Sequence, residues 1–217
     1  MIVTIDGPAG AGKSSAAKEL ARRLGFEFLD TGAMYRAVAL AGLRAGCDFD
    51  DAAAVTKLLQ DFRLEMPAGR VIVNGEDVTA LIRDSKVTAA SGAVANSPVV
   101  RRELSRMQRE IARGRNMVTE GRDQGTIVFP DAGCKFFLVA DPLERARRRH
   151  RDLLTRGDQV PLEEVLQAQE ERDRRDAARD IAPMVPAKDA IVLDSTGLTL
   201  EQVVERMERD VRLRMSQ

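Results

Sequence analysis

Five short apolar runs recur along the chain, and turn residues follow each of them: MIVTIDG, FEFLDTG, NMVTEGRD, CKFFLVAD and AIVLDST. Their apolar positions are nearly continuous rather than alternating with polar ones. This pattern is typical of strands that are buried on both faces of a parallel sheet. Helix-like patterns separate the runs, so the sequence predicts βαβ units and an α/β fold.

Two further segments refine this prediction. Residues from about 200 to 215 carry apolar side chains on one helical stripe, which indicates a helix packed on the core: Val203, Val204, Met207 and Val211. The segment RLEMPAGRVIVNGED, residues 63–77, contains the turn signal Asn74-Gly75. It predicts a small hairpin, inserted between the second and third core strands and built outside the main sheet.

Composition limits the classes of protein that the chain can belong to. At 217 residues and 44% hydrophobic content, one substantial core is expected. Basic and acidic residues number 34 each, so we expect no nucleic-acid or membrane partner and only a local anion site. His150 is the single histidine, and Cys47 and Cys134 have no metal-ligand spacing, which leaves little material for zinc or Ser-His-Asp chemistry. The strand-like start and the lack of a long apolar run predict a cytoplasmic protein.

A phosphate-binding motif follows the first predicted strand. The stretch GPAGAGKS, residues 7–14, matches G-x-x-x-x-G-K-[ST] in full and precedes a helical pattern. In this motif backbone N–H groups surround phosphate oxygens, Lys13 reaches the outer phosphates, and the Ser14 hydroxyl can bind Mg²⁺. The predicted ATP- and phosphate-binding residues are Gly7, Pro8, Ala9, Gly10, Ala11, Gly12, Lys13, Ser14 and Ser15.

Polar residues also follow the other predicted strands, at the edge where ligands bind in open parallel sheets. They are Asp30-Thr31-Gly32, Gly121-Arg122-Asp123, Asp141-Pro142 and Asp194-Ser195-Thr196. An unpaired buried charge is costly, so an Arg-Asp pair directly after a buried strand is hard to explain by packing. Arg122 and Asp123 are therefore predicted to contact ligand, with a plain ion pair as the alternative.

A highly charged stretch, QEERDRRDAARD, occupies residues 169–180. Arg172, Asp176 and Arg179 follow i, i+4, i+7 spacing, which places them on one helical face that can bind an anion and a polyol. The alternative is a solvated helix with ordinary i, i+4 ion pairs, such as Glu171 with Arg175. Local sequence alone leaves both open.

The reaction depends on the phosphoryl acceptor. An alcohol acceptor needs a carboxylate base, for which Asp30 is available. A phosphate acceptor needs cations that hold two mutually repelling phosphates in line. The chain offers such cations at residues 145–156 and at Arg36, Arg101, Arg122, Arg172 and Arg179, which favours a phosphate acceptor. A regulatory GTPase is disfavoured, because the N-K-x-D motif does not occur.

Four stretches together resemble the bacterial cytidylate kinases, nearly end to end: TIDGPAGAGKS, LDTGAMYRAVAL, TEGRDQGTIVFPDAG and ERDRRDAARDIAPMVPAKDAIVLDST. The resemblance implies phosphoryl transfer from ATP, with Mg²⁺, to CMP or dCMP. It also implies a single P-loop kinase domain over residues 1–217, with a five-stranded parallel sheet flanked by helices. A β-containing nucleoside-monophosphate-binding region with an insertion would occupy about 33–110, and a helical lid about 145–165.

The same resemblance implies roles for individual residues. Thr31 and Arg36 would border the acceptor phosphate, and Arg122 would hold phosphate. Arg101 and Asp123 would read the cytosine, because a carboxylate accepts from its amino group but faces an acceptor oxygen in uracil. This predicts CMP over UMP.

On the charged helix, Arg172 and Asp176 would contact the sugar and Arg179 its phosphate. The catalytic candidates are Lys13, Arg122, Arg179 and, in the lid, Arg148, with Arg147, Arg149, Arg151 and Arg156 as alternatives to Arg148. The family usually has serine at the position of Gly92, and the serine here is Ser91. Ser91 is therefore a further candidate for base contact.

Three rival interpretations remain at this point. A shikimate-type alcohol kinase explains the phosphate loop but leaves GRD and ERDRRD without a role. A kinase for AMP or GMP explains the arginines but not the base reading by Arg101 and Asp123. A nucleotide-gated binding module without turnover is disfavoured by the intact Lys13 and Ser14. We expect a monomer that acts on small molecules.

Overall fold

The structure is a computed structural model that describes residues 1–155 and 157–216. Its strands, in chain order, are β1 (Ile2–Asp6), β2 (Glu27–Asp30), β3 (Leu64–Glu65), β4 (Ile72–Val73), β5 (Glu76–Asp77), β6 (Met117–Glu120), β7 (Cys134–Val139) and β8 (Ile191–Asp194). Its α-helices are α1 (Lys13–Leu24), α2 (Thr31–Ala45), α3 (Ala52–Gln60), α4 (Ser85–Asn96), α5 (Pro98–Ala112), α6 (Pro142–Thr155), α7 (Leu162–Ala177) and α8 (Leu200–Met215).

The five predicted apolar runs form one sheet in the order β2-β6-β1-β7-β8. The pairs β1 with β6, β1 with β7, and β7 with β8 are parallel, so consecutive strands are joined by helical crossovers. Within the described residues this confirms the predicted α/β fold with a five-stranded parallel sheet flanked by helices. The carboxyl ends of all five strands meet at one edge, as the sequence required.

The chain divides into two compact units. The sheet unit comprises Met1–Leu29 and Gly114–Gln217, and the helical unit comprises Asp30–Arg113. In the sheet unit, α1 and α8 pack together against the sheet. The predicted stripe on α8 is fully or almost fully buried in this core, which confirms the expected helix and its buried face.

The helical unit contains α2 to α5 and a small antiparallel sheet of β3, β4 and β5. Asn74 and Gly75 connect β4 to β5 with φ of 50° and 84°, the left-handed conformations that a type I′ hairpin turn requires. The predicted hairpin is therefore present, but it carries the additional strand β3. Its two residues are too short a run to be separated from the neighbouring loop by periodicity.

Several helix N-termini follow the usual capping rules. Asp30 and Asp51 are the N-caps of α2 and α3, where each side chain accepts from backbone N–H groups of the first turn. Thr199 and Gln202 form a capping box at the start of α8. Among the described residues, no helix is both long and apolar enough to cross a membrane.

Candidate active site

The phosphate motif forms the turn between β1 and α1. Gly7, Gly10 and Gly12 have φ of 139°, 78° and 92°, a conformation that residues with a Cβ rarely adopt. A Cβ on Gly7 would lie 2.1 Å from the carbonyl oxygen of Leu138, so only glycine fits there. Gly12 is the N-cap of α1, and the loop therefore ends at a helix N-terminus, where backbone N–H groups favour anions.

Lys13 is the first residue of α1 and is almost completely buried. Its Nζ donates to the carbonyl oxygen of Pro8 over 2.7 Å. Burial lowers the pKa of Lys13 to about 7, with repulsion from Arg122 as the next cause and attraction to Glu120 opposing it. An anionic phosphate is the partner that would offset this penalty and stabilise the ammonium form.

A carboxylate at a strand end contacts the phosphate motif. The Ser14 hydroxyl donates to Glu120 Oε1 over 2.9 Å, and Glu120 is buried at the end of β6. A hydroxyl beside a buried carboxylate supplies the hard oxygen ligands that Mg²⁺ prefers, so this pair fits a magnesium ion. No cluster of three or more His, Cys, Asp or Glu side chains suited to a metal occurs among the described residues, and such a site would depend on substrate phosphates to complete it.

Asp6, the last residue of β1, ties the strand to the segment after β6. Its two carboxylate oxygens accept from the backbone N–H groups of Gln124 and Gly125, over 2.9 and 2.7 Å. Burial raises the pKa of Asp6 to about 6, against these two hydrogen bonds, which lower it. The segment held in this way follows directly on Arg122 and Asp123, and Asp123 itself is buried just ahead of a short π-helix, Gln124–Val128.

Two of the predicted acceptor arginines donate to the carboxylate of a third predicted residue, Asp176. Arg122 Nε donates to Asp176 Oδ2 over 2.9 Å, and Arg179 Nη2 donates to Asp176 Oδ1 over 2.5 Å. Asp176 is buried and the two arginines are mostly so. Arg172 interacts electrostatically with all three. The structure thus brings Arg122, Arg172, Asp176 and Arg179 together in the sheet unit.

The prediction that Arg172, Asp176 and Arg179 share one face of a helix is wrong in one respect. Helix α7 ends at Ala177, so Arg179 lies beyond it and reaches Asp176 from the following turn. The solvated part of the stretch is as expected, because Arg174 and Arg175 are exposed and pair with Glu171. The two interpretations of the charged stretch, a polar cluster for ligand and a solvated helix face, thus apply to different residues within it.

The lid arginines differ in their surroundings. Arg148 donates to the hydroxyl and carbonyl oxygens of Ser195 over 3.0 and 2.8 Å and pairs with Glu144. Its guanidinium is 3.8 Å from the position that a Cβ on Gly12 would occupy, so it lies beside the phosphate loop. Arg147 and Arg151 are exposed, and Arg149 is half-buried. Arg156 lies outside the described residues.

In the helical unit, Thr31 and Arg36 both belong to α2. Thr31 is buried at the start of the helix, and Arg36 forms an ion pair of 3.5 Å with Asp30. Asp30 also caps the helix by accepting from Ala33 N over 2.8 Å. These contacts engage Asp30 structurally, which weakens its candidacy as the base of an alcohol kinase.

Arg101 is buried on α5 in the same unit. It donates to the carbonyl oxygen of Ala95 over 2.9 Å, and its guanidinium lies 5.9 Å from the centroid of the Tyr35 ring. On α4, the Ser91 hydroxyl donates to the carbonyl oxygen of Thr88 within its own helix. Ser91 can still accept a hydrogen bond, and its role at the base stays a prediction.

Three residues that interact with predicted site residues were not themselves predicted. In the sheet unit, Asp6 and Glu120 interact electrostatically with Lys13. In the helical unit, the Tyr35 ring lies beside Arg101. The signal for the two carboxylates was present in the sequence. Both are the last residue of a strand, one position before the segments predicted at the sheet edge, which start at Gly7 and Gly121. Tyr35 stands next to Arg36 on α2 and had no signal of its own.

Comparison with known proteins identifies the family of the chain. A family model described as cytidylate kinase matches residues 3–213. The chain is 47% identical to a cytidylate kinase of Geobacter sp. (strain M21), over 100% of this chain and 95% of that protein. It is 47% identical to a cytidylate kinase of Rhodopirellula baltica as well, over 98% of this chain and 93% of that protein.

Among solved structures, an uncharacterized protein from Eubacterium ventriosum has a similar fold. The TM-score is 0.52 with 12% identity, over 98% of each chain. At that identity the similarity concerns the fold alone.

Proposed function

Because this chain belongs to the cytidylate kinase family, we propose that it transfers the γ-phosphoryl group of ATP to CMP or dCMP, giving CDP or dCDP. In this step an oxygen of the acceptor phosphate bonds to the γ-phosphorus. The bond from that phosphorus to the β–γ bridging oxygen breaks, and ADP leaves. The observation that carries the proposal is the Arg122–Asp176–Arg179 cluster in the same unit as the phosphate loop.

The donor half of the proposal rests on the phosphate loop. Residues 7–15 would bind the phosphates of ATP through backbone N–H groups, and Lys13 would neutralise the charge that develops on the transferred group. Arg148, beside Gly12, is the lid arginine that we propose to contact the donor phosphates. A magnesium ion held by Ser14, with Glu120 close by, would supply charge neutralisation at the phosphates.

The acceptor half calls for cations rather than a base. Arg122 and Arg179 would hold the acceptor phosphate, and their shared partner Asp176 would turn to the sugar together with Arg172. In-line transfer between two phosphates requires this positive charge, because the two anions repel each other and no acceptor proton must be removed at neutral pH. This need explains why the site is rich in arginine.

The base-reading half involves Asp123 and the helical unit. We propose that Thr31 and Arg36 border the acceptor phosphate and that Arg101 and Asp123 read the cytosine, with Ser91 as a further base contact. Asp123 would accept from the exocyclic amine, whereas uracil presents an oxygen there. Residues 33–110 would then be the nucleoside-monophosphate-binding region, and residues 145–165 the lid whose closure excludes water.

We also propose that the enzyme acts as a cytoplasmic monomer on small molecules, without nucleic-acid or membrane partners. The equal numbers of basic and acidic residues, 34 each, support the part of this proposal that concerns nucleic acid and membranes, because the chain has no net field to attract a polyanion. Gel filtration at assay concentration tests the monomer, and a dimer would contradict it.

The decisive experiment is an ADP-release assay with ATP and Mg²⁺ that offers CMP, dCMP, UMP, AMP, GMP and shikimate in parallel. We expect strong turnover with CMP and dCMP. Preference for shikimate would support the alcohol kinase, and preference for AMP or GMP would refute the assigned base contacts. ATP binding without turnover on any acceptor would favour the binding module.

A further inference from the structure

The clearest contact outside the assigned site joins α6 and α7 to the phosphate loop. Ala9 N donates to Asp173 Oδ1 over 3.2 Å, and Arg145 Nη1 donates to the carbonyl oxygen of Ala9 over 3.0 Å. Arg145 and Asp173 also form an ion pair with each other. One residue of the loop is thus bonded through both of its backbone polar groups by a pair of side chains that bind one another.

We propose that Arg145 and Asp173 are positioning residues that fix the phosphate loop for the phosphoryl donor. We call this pair the loop latch. The inference rests on the proposed function for its role in turnover, but its effect on ATP binding is independent of the acceptor.

The planarity of the peptide bond explains how the loop latch works. The carbonyl of Ala9 and the N–H of Gly10 belong to one planar peptide and point in opposite directions. By holding the Ala9 carbonyl, Arg145 therefore directs the Gly10 N–H to the other side of the loop. Backbone N–H groups in this motif are the donors for phosphate oxygens, so their direction determines affinity.

The preceding peptide is fixed in the same way. Its N–H, on Ala9, is held by Asp173, and its carbonyl, on Pro8, accepts from Lys13 Nζ over 2.7 Å. Asp173 and Lys13 thus hold opposite ends of one peptide plane. A rotation of that plane would remove the resting position of the Lys13 ammonium group, so the loop latch also positions Lys13.

Burial indicates that the loop latch does more than join two helices. The Arg145 and Asp173 side chains are only 7% and 15% exposed. The desolvation of a buried ion pair often cancels its attraction, so an apolar pair would join α6 to α7 as well or better. An apolar pair cannot hydrogen-bond a peptide, however. Arg145 Nε in addition donates to the carbonyl oxygen of Ala140 over 3.1 Å.

One turn before Asp173, Gln169 extends the same contact to Gly10. Its Nε2 lies 2.7 Å from the position that a Cβ on Gly10 would occupy. Gln169 is buried, and its Oε1 has no hydrogen-bond partner among the described residues. This face of α7 therefore lies directly against the loop, and α7 also carries Arg172 and Asp176. The loop latch consequently connects the helix that would bind the acceptor to the loop that would bind ATP.

The test is the affinity for MgATP, measured by calorimetry for Asp173→Ala and Arg145→Ala with CMP absent. Loss of a charged hydrogen bond that orients the loop should weaken binding about tenfold in each variant. Charge alone predicts the opposite for Asp173→Ala, because removing a carboxylate beside an anion site strengthens ATP binding. Unchanged or tighter binding of MgATP by Asp173→Ala would overturn the loop latch.

Further variants separate positioning from a general loss of structure. Asp173→Asn keeps an oxygen that can accept from Ala9 and should recover most of the affinity that Asp173→Ala loses. The double variant should bind MgATP no more weakly than the single variants, because both break the same unit. Arg174→Ala, exposed on the same helix, is the matched control and should bind as the wild type does.

Kinetics give a second readout. The KM for ATP should rise in Asp173→Ala, while the KM for CMP changes by less than about threefold, since the loop and not the acceptor loses its contacts. An equal rise in both KM values would contradict donor positioning.

If the alanine variants do not fold, Arg145→Lys provides the test, because lysine keeps the positive charge but lacks the several N–H donors of the guanidinium group. Wild-type MgATP affinity in Arg145→Lys would refute the proposal. If the wild type binds MgATP but does not phosphorylate CMP, the proposed function fails and the loop latch is still tested.

Discussion

The Asp176 carboxylate accepts a hydrogen bond from Arg122 over 2.9 Å across 54 positions of the chain. Its second oxygen accepts from Arg179. One buried anion thus holds two cations that the proposed reaction needs for the acceptor phosphate. Without it, the two guanidinium groups would repel each other in a site of low dielectric.

Asp176→Ala should therefore reduce both stability and activity. Leaving two largely buried arginines without their partner should lower the free energy of unfolding by about 2 kcal/mol. Urea unfolding with and without CMP checks this, and CMP should stabilise the variant because its phosphate can pair with the same arginines. Glu171→Ala, on the exposed side of α7, is the control and should change stability by less than about 0.5 kcal/mol. A stable, fully active Asp176→Ala would contradict the role of the cluster.

Lys13→Ala should abolish turnover without unfolding the protein. The loss of the charge at the transferred group should reduce kcat by about 10³-fold or more. Stability should not fall, because the variant removes a buried ammonium group whose desolvation is unfavourable. Steady-state kinetics and thermal unfolding measure the two effects. Lys18→Ala, exposed on the same helix, is the control; near-normal turnover in Lys13→Ala would refute the phosphate-loop assignment.

ATP binding should be coupled to proton uptake above neutral pH. Burial lowers the pKa of Lys13 to about 7, so the free protein should lose the Lys13 proton as the pH rises above neutrality. Phosphate favours the ammonium form, raises this pKa and draws a proton from the buffer. Calorimetry in two buffers of different ionisation enthalpy detects the uptake, and Lys13→Arg should abolish it. Equal binding enthalpies in both buffers for the wild type would contradict the low pKa.

The same pKa predicts a pH dependence of stability. The proton affinity of Lys13 is lower in the folded state than in the unfolded state, whose pKa is near 10.5. The unfolded state therefore binds more protons between these values, and the contribution of Lys13 to stability should rise as the pH increases from about 7. Comparing urea unfolding of the wild type and Lys13→Ala at pH 7 and pH 9 isolates this contribution. A difference between the two proteins that does not change with pH would refute it.

Asp123→Asn should weaken the preference for CMP over UMP. The amide can donate to the uracil oxygen, so the ratio of kcat/KM for CMP to kcat/KM for UMP should fall. The loss of discrimination should be about 1–3 kcal/mol. The change should appear mainly with CMP, while kcat/KM for UMP holds or rises. An unchanged ratio would remove Asp123 from base recognition.

Two glycines provide a matched test of the backbone. Gly7→Ala puts a Cβ 2.1 Å from the Leu138 carbonyl at φ of 139°, and it should strongly destabilise the sheet unit. Gly92→Ala, in the interior of α4 with no atom within 4 Å of the new Cβ, should stabilise the protein by up to about 1 kcal/mol. Thermal unfolding of both variants checks the contrast, and equal effects would contradict the geometry of the phosphate loop.

Local patterns in the sequence determined the α/β fold, the five strands, the buried stripe of α8 and the phosphate motif. Each depends on periodicity or on contiguous residues, because a buried strand, an amphipathic helix and a phosphate loop all have a short repeat or spacing. The end of α7 at Ala177, before Arg179, was less predictable. The chain there turns back so that Met184 N donates to the Asp176 carbonyl, and Ala182 adopts a φ of 55°.

Only the tertiary structure decided which charged residues are partners. Asp6 accepts from the backbone of Gln124 and Gly125, which lie 118 and 119 positions further along the chain. Ala9 donates to Asp173 across 164 positions. No periodicity encodes such pairs, because they depend on how strand ends and helix faces meet after folding. The sequence therefore identified the residue types that phosphoryl transfer needs. The fold determined that Asp176 would hold Arg122 and Arg179, and that Arg145 and Asp173 would hold the phosphate loop.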